Sequence, residues 1–127
     1  MNHRPYQQRW RLVLLLLIVY LVCDSHTGIA HALLVRSNPA AGALLATTPA
    51  LIELWFSEPL ESRFSRAYLV DAAGNELGGD NSTVDAADPT HMTLSPPPLT
   101  PANYTVVWHT VSSADGHEWT GSFPITL

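Results

Sequence analysis

Tyr104-Thr105-Val106-Val107-Trp108-His109-Thr110-Val111 is the stretch that decides the fold, because every position is β-branched or aromatic. Residues of these types fit the pleated, half-buried surface of a β-strand. A second strand-like segment, Trp119–Leu127, alternates loosely between polar and apolar residues. The connection between the two segments contains Asp115-Gly116, and Asp-Gly between two strands is a strong hairpin signal. This part of the chain therefore predicts a β-hairpin.

Shorter strand-like runs precede the hairpin, and turn-forming residues recur between them at intervals of about ten residues. We predict strands at residues 32–35, 51–56, 67–70 and 91–94, with one further short strand near residues 82–84. No run of about ten or more residues shows the 3.6-residue periodicity of an amphipathic helix. This spacing favours an all-β fold, a Greek-key β-barrel or sandwich of the immunoglobulin-like kind.

The N-terminal segment has the composition of a secretory signal peptide. Arg4, Arg9 and Arg11 precede the unbroken apolar run Leu12–Val22, and no acidic residue accompanies them. An apolar run of this length is too short for a membrane span, which needs about 18 residues or more. The alternative is a retained, shortened anchor, because flanking residues can extend a marginal span.

Small residues at Gly28 and Ala30 satisfy the usual rule for signal cleavage, so we predict a cut before His31. Residues 1–30 are then a signal peptide, and residues 31–127 are a single domain in the periplasm or outside the cell. Because Cys23 leaves with the signal, the mature chain has no cysteine. It has neither a disulfide framework nor a thiolate metal site, and an oxidising compartment is no obstacle.

The predicted mature domain is strongly acidic. It contains three arginines, no lysine and ten acidic residues, which gives a formal net charge of −7. A domain of this charge repels phosphate backbones and anionic membrane surfaces. Composition therefore argues against nucleic-acid binding.

Asp115 and His117 stand two positions apart, and on extended chain such side chains point to the same side. Both side chains can therefore bind the same ion. His31, once freed by cleavage, adds an α-amine and a second imidazole. Nitrogen and oxygen donors of this kind suit a borderline divalent cation such as Cu(II), so these residues are a candidate copper site. The competing interpretation is that Asp115-Gly116 only forms a hairpin turn.

Four segments of the chain resemble the CopC family of periplasmic copper-binding proteins. His31-Ala32 is similar to the family's mature N-terminus, Ser37–Gly42 to its S-x-P-A-x-G loop, Leu54–Leu60 to its L-x-F-S-E-P segment, and residues 104–123 to its Y-x-V-x-W, S-A-D-G-H and G-x-F blocks. One such match alone has little meaning. Four matches in the same order, with family-like spacing, are specific.

The resemblance implies a Greek-key β-barrel or sandwich that binds Cu(II) outside the cytoplasm. It also implies metal ligands at His31, Asp115 and His117, with Glu58 as an acid close to the site. We expect Glu58 to orient a ligand rather than to bind the metal. Family members that bind Cu(I) use a methionine-rich loop, whereas beyond Met1 this chain has only Met92. We therefore predict Cu(II) alone.

The leading functional hypothesis is a monomeric, non-enzymatic Cu(II) carrier or buffer that hands copper to a membrane copper transporter of the CopD type. The first alternative is a copper oxygenase with an N-terminal histidine brace, which needs an open position that an Asp115 ligand would fill. The second is a metal-free immunoglobulin-like domain, which requires the signal to be cut elsewhere.

Other polar and aromatic residues receive structural interpretations. We predict that His91 and His109 are ordinary strand histidines. Ser112 and Ser113 lack the glycine-flanked elbow of a hydrolase nucleophile, which argues against a serine hydrolase. Two roles stay open for Trp119, which either packs beside the copper site or covers the edge of the sheet.

Overall fold

The structure, a computed structural model, describes residues 31–78 and 81–127. The predicted signal peptide, residues 1–30, lies outside these residues. The strands of the described part are β1 (Leu34–Asn38), β2 (Ile52–Phe56), β3 (Arg66–Val70), β4 (Glu76–Leu77), β5 (Ser82–Val84), β6 (His91–Leu94), β7 (Asn103–Val111) and β8 (Glu118–Thr126). No helix among the described residues has the length and apolar character that a membrane span requires.

The strands form two four-stranded sheets that pack face to face. The first sheet has the order β1-β2-β6-β5, and the second has the order β4-β3-β7-β8. Neighbouring strands are antiparallel in both sheets. The predicted all-β sandwich is therefore confirmed.

Alternating burial along the strands shows which faces build the core. In β7, every second residue from Tyr104 to Thr110 is buried, and β2 buries Ile52, Leu54 and Phe56 in the same way. Side chains of successive strand residues point to opposite faces, so these residues line the space between the two sheets. Full burial of one such apolar side chain stabilises the fold by about 1.5–3 kcal/mol.

The C-terminal hairpin forms as the sequence predicts. β7 and β8 pair continuously from Asn103 with Thr126 to Val111 with Glu118, so residues 112–117 form the connecting loop. Gly116 has a φ of +73°, in the left-handed region that glycine adopts without steric cost.

Two local features differ from the prediction. The first strand begins and ends later than expected, and its end is later because Ser37 and Asn38 remain paired with β2 instead of starting the turn. The short strand β4 lies in a stretch predicted as a loop, where Leu77 pairs with Leu69 of β3. A two-residue strand has too little sequence of its own to show a period, so its pairing depends on the neighbouring strand. The other strands lie within one residue of their predicted ends.

Three separate segments meet at one end of the sandwich. The backbone N–H of Ser57, just after β2, donates to the carbonyl of Leu33 (2.9 Å), which holds the N-terminal segment. The N–H of Ser113, in the hairpin loop, donates to the carbonyl of Pro59 (3.0 Å). The N-terminal segment, the β2–β3 connection and the β7–β8 loop are therefore neighbours, although they are far apart in sequence.

Candidate metal centre

The inner face of β8 extends from the core to this end of the sandwich. Phe123 and Ile125 of that face are buried in the core. Every second residue lies on this face, so toward the loop it carries Gly121, then Trp119, which is 40% exposed, and then His117. The backbone N–H of Ser112 donates to the carbonyl of His117 (2.9 Å), so pairing continues past the last strand residue. His117 therefore lies beyond the end of the core.

His31 lies against both of these side chains. Its imidazole stacks on the indole of Trp119, with ring centroids 4.9 Å apart and an interplanar angle of 23°. It meets the His117 ring edge to face, with centroids 6.2 Å apart and an angle of 81°. The Nδ1 atom of His31 is buried and has no hydrogen-bond partner among the described residues. A buried polar atom without a partner is costly, so this nitrogen is free to accept a ligand. Nε2 of His91 and Nε1 of Trp108 are also buried without a hydrogen-bond partner among the described residues.

Asp115 and His117 form a tight local unit. Oδ1 of Asp115 accepts a hydrogen bond from the backbone N–H of His117 (3.0 Å), and Oδ2 lies 2.8 Å from His117 Nδ1. The hydrogen bonds from the backbone and the ring of His117 lower the pKa of Asp115 below its ordinary value of 3.8, because they stabilise the carboxylate. The carboxylate is therefore anionic at neutral pH, and His117 presents its other ring nitrogen, Nε2, for binding.

The structure brings the predicted ligand residues to the same end of the molecule, where they contact one another in pairs and do not form one cluster of three. His31 faces His117, and Asp115 faces His117. Within residues 31–78 and 81–127, no group of three or more His, Cys, Asp or Glu side chains is placed to hold a metal ion. Both oxygens of Asp115 contact His117. The α-amine of His31 exists only after cleavage, so the predicted ligand set stays a prediction.

Glu58 acts on the loop through Ser112. Its Oε2 accepts a hydrogen bond from the Ser112 hydroxyl (2.9 Å), and Ser112 is only 1% exposed. The carbonyl of Ser112 accepts from the N–H of Gly116 (2.9 Å), which helps to shape the loop that carries the ligand residues. This position fits a supporting acid at the edge of the site, and the role of Glu58 stays a prediction.

His91 and His109 lie on the outer faces of the two sheets. Each is half-buried, and the residues next to it on its strand are buried in the core or alternate with buried residues. Nδ1 of His109 shares a hydrogen bond with the Thr120 hydroxyl (3.1 Å). His91 lies between the carboxylates of Glu53 (3.4 Å) and Asp85 (3.8 Å). Glu53 belongs to the neighbouring strand β2, so local spacing could not reveal its contact with His91.

Sequence reasoning missed one residue that holds the N-terminal segment in place. The Ser57 hydroxyl donates to the carbonyl of His31 (3.2 Å) and accepts from the N–H of Leu33 (3.0 Å). The only signal in the sequence is the position of Ser57 directly before Glu58. Trp119 packs its indole on His31 and belongs to the edge strand β8, so its position fits both of the open roles.

Comparison with known proteins yields consistent matches. The family model described as the CopC domain matches residues 34–127. The chain is 46% identical over 99 residues to copper resistance protein C of Pseudomonas syringae pv. tomato, covering 73% of this chain and 77% of that protein. It is 31% identical over 122 residues to copper transport protein CutJ of Bacillus subtilis (strain 168), covering 95% of this chain. The match spans only 22% of the length of CutJ.

Solved structures share the fold. CopC from Methylosinus trichosporium OB3b superposes with a TM-score of 0.70 at 31% identity, covering 76% of this chain and 92% of that one. PcoC, a methionine-rich copper resistance protein from Escherichia coli, gives a TM-score of 0.63 at 35% identity, covering 76% and 98%. The family match spans nearly all of the described residues, and the sandwich agrees with it. The chain therefore belongs to the CopC family.

Proposed function

We propose that this protein binds Cu(II) outside the cytoplasm and acts as a copper carrier or buffer in copper homeostasis or resistance. Its relatives are named as copper resistance and copper transport proteins. The observation that carries the proposal is the buried, unpartnered Nδ1 of His31, which lies next to the ring of His117 and directly after the predicted cleavage site. That nitrogen has the chemistry and the position of a metal donor.

Four donors come from three residues. The α-amine and Nδ1 of His31 are separated by few bonds, so they can close a small chelate ring around one ion. His117 contributes Nε2, since its Nδ1 faces Asp115. Asp115 would contribute an anionic oxygen, for which Oδ2 would leave its contact with the His117 ring. Cu(II) tops the divalent affinity order for nitrogen and oxygen donors and favours such a tetragonal set.

The soft donors that Cu(I) prefers are not available in the described part of the chain. Its one methionine, Met92, is fully buried in the core. Reduced copper therefore has no thioether to move to, and we expect the protein to release or weakly hold copper under reducing conditions. A carboxylate ligand and a filled coordination plane also leave oxygen no place to react, which favours a carrier over an oxygenase.

The expected cellular setting follows from the same proposal. A cleaved signal peptide places a monomeric domain in the periplasm or outside the cell. A membrane copper transporter of the CopD type is the proposed recipient of the ion. The match to part of the longer protein CutJ supports this partner, because a similar domain there lies within a copper transport protein.

The test compares a free N-terminus with a blocked one. We expect the exported protein to begin at His31 and to bind one Cu(II) tightly, whereas a variant with one alanine before His31 should bind far more weakly, since its amine lies outside the chelate. The matched control is the same extended protein after protease removal of the extra residue. Equal affinity of the free and the extended forms, measured by competition with a Cu(II) chelator, would refute the proposal.

A further inference from the structure

Trp119 is partly exposed, so packing in the core does not explain its position. It is a large apolar side chain near the start of β8, and it remains 40% exposed, whereas Phe123, four residues further along the same face, is buried in the core. Its backbone is well fixed, because its carbonyl accepts a hydrogen bond from the fully buried Thr110 (3.3 Å). The indole therefore projects from a rigid base toward the N-terminal segment.

The stacking partner of Trp119 is the first residue of the predicted mature chain. Terminal residues normally fray unless specific contacts hold them. The backbone of this segment is held by Ser57, which bonds to His31 and Leu33, and by the burial of Ala32, which is 2% exposed. These contacts leave the χ angles of His31 free to vary. The imidazole itself contacts the indole of Trp119, on which it stacks, and the edge-to-face ring of His117.

From this geometry we infer that Trp119 is a positioning residue for copper binding. It holds the His31 imidazole in one orientation, with Nδ1 buried and the ring edge to face with His117. A ring that already has its bound orientation loses less conformational freedom when the metal arrives. The indole also covers one side of the ring, which limits the access of water. This role rests on the proposed function, because it concerns the same copper ion.

The expected effect is moderate, because Trp119 does not bind the metal. An aromatic stack of this kind corresponds to about a twofold to tenfold change in an equilibrium constant. Trp119→Ala should therefore weaken Cu(II) binding by about twofold to tenfold, mainly through faster dissociation. Trp119→Phe keeps a ring at this position and should restore most of the affinity.

The outer face of the first sheet supplies a matched control. Trp55 stacks on His91 with centroids 4.5 Å apart and an angle of 8°, so Trp55→Ala also removes an indole from an imidazole. That variant should bind Cu(II) like the wild type. Thermal unfolding of each apo variant checks that the fold is retained, which the exposure of Trp119 leads us to expect.

Two measurements test the inference. In the metal-free mature protein, NMR should show His31 ring protons shifted by the indole ring current, and Trp119→Ala should abolish that shift. With Cu(II) added, the EPR spectrum of Trp119→Ala should change, while those of Trp119→Phe and Trp55→Ala should not.

Each outcome decides between the two proposals. Wild-type Cu(II) affinity and EPR spectrum in Trp119→Ala would overturn the positioning role, even though the protein still binds copper. A wild-type protein that shows the ring-current shift but binds no Cu(II) would overturn the proposed function, and the positioning role with it. Absence of the shift in the wild type would overturn the stack itself.

Discussion

Two indole–imidazole stacks lie in different parts of the molecule. Trp55 stacks on His91 on the outer face of the first sheet, and Trp119 stacks on His31 at the end of the sandwich. The centroid distances, 4.5 Å and 4.9 Å, are nearly equal. The two imidazoles differ in the donors that surround them.

At His91, carboxylates flank both sides of the ring. Glu53 lies 3.4 Å from Nε2, and Asp85 lies 3.8 Å from Nδ1, on the other nitrogen. The guanidinium of Arg36 lies over the Trp55 ring, 3.7 Å from its centroid. Acids on opposite nitrogens do not converge on one ion, so this cluster is suited to a stable sheet surface.

At His31, the neighbouring groups are suited to a metal. Its Nδ1 is buried without a hydrogen-bond partner among the described residues, as is Nε2 of His91. The difference is that the ring beside His31 belongs to His117, which is paired with Asp115. The comparison teaches that ring stacking alone does not mark a metal site. What distinguishes the two places is which donors can reach the same ion.

The largest expected difference between the two regions comes from removing an imidazole at each. His117→Ala should weaken Cu(II) binding by more than the about 10–100-fold that outer-shell partners contribute, because it deletes a nitrogen ligand. His91→Ala should leave the affinity unchanged. Chelator competition measures both. Comparable losses in the two variants would show that copper does not distinguish the two histidines.

A smaller effect is expected at the edge of the site. Glu58→Gln keeps an acceptor for the Ser112 hydroxyl but removes the charge, so affinity should fall by about 10–100-fold, as for other outer-shell partners. Glu53→Gln is the matched control beside His91 and should have no effect on copper. Complete loss of copper in Glu58→Gln would mean that Glu58 itself binds the metal.

A further effect concerns pH and shows whether the amine or the Asp115 carboxylate controls copper release. The pKa of Asp115 is held below 3.8 by hydrogen bonds from the backbone and ring of His117. A lowered pKa in the folded state means that its stabilising contribution is complete above pH 3.8 and is lost as pH falls through the lowered value. An α-amine has a reference pKa of about 7.7–8.0 and must lose its proton to bind.

Copper affinity should therefore decline already between about pH 8 and pH 5, while the Asp115 carboxyl stays ionised. Carbon NMR of the Asp115 carboxyl in the apo protein, compared with a chelator-based pH series of the loaded protein, tests this. Asp71 is a useful internal standard, because hydrogen bonds from Asn75 also lower its pKa, far from the site in sequence. Release of copper that follows the Asp115 titration would assign the pH dependence to the carboxylate instead.

Local sequence patterns were enough to predict most of the fold. The long hairpin of β7 and β8 could be predicted because strand-forming residues extend over both segments and Asp115-Gly116 joins them. The strand β4 could not, because the pairing of Leu77 depends on Leu69 and leaves no period in two residues. In each case, the length of the pattern decides how much local sequence can show.

At the candidate site, residue types could be predicted but orientations could not. The spacing of Asp115 and His117 indicates a shared side, yet the direction of both Asp115 oxygens toward His117 depends on the conformation of the loop. The support from Ser57 and the stack of Trp119 on His31 join segments that only the tertiary fold brings together. No local pattern could reveal these contacts.

The central claim is that His31 and His117 bind the same Cu(II) ion, and hyperfine EPR spectroscopy tests it most directly. The mature protein is loaded with one equivalent of Cu(II) and compared with His117→Ala and His91→Ala. We expect nitrogen couplings from the amine and from both imidazoles in the wild type and in His91→Ala, and the loss of one imidazole coupling in His117→Ala. An unchanged set of nitrogen couplings in His117→Ala would contradict the claim.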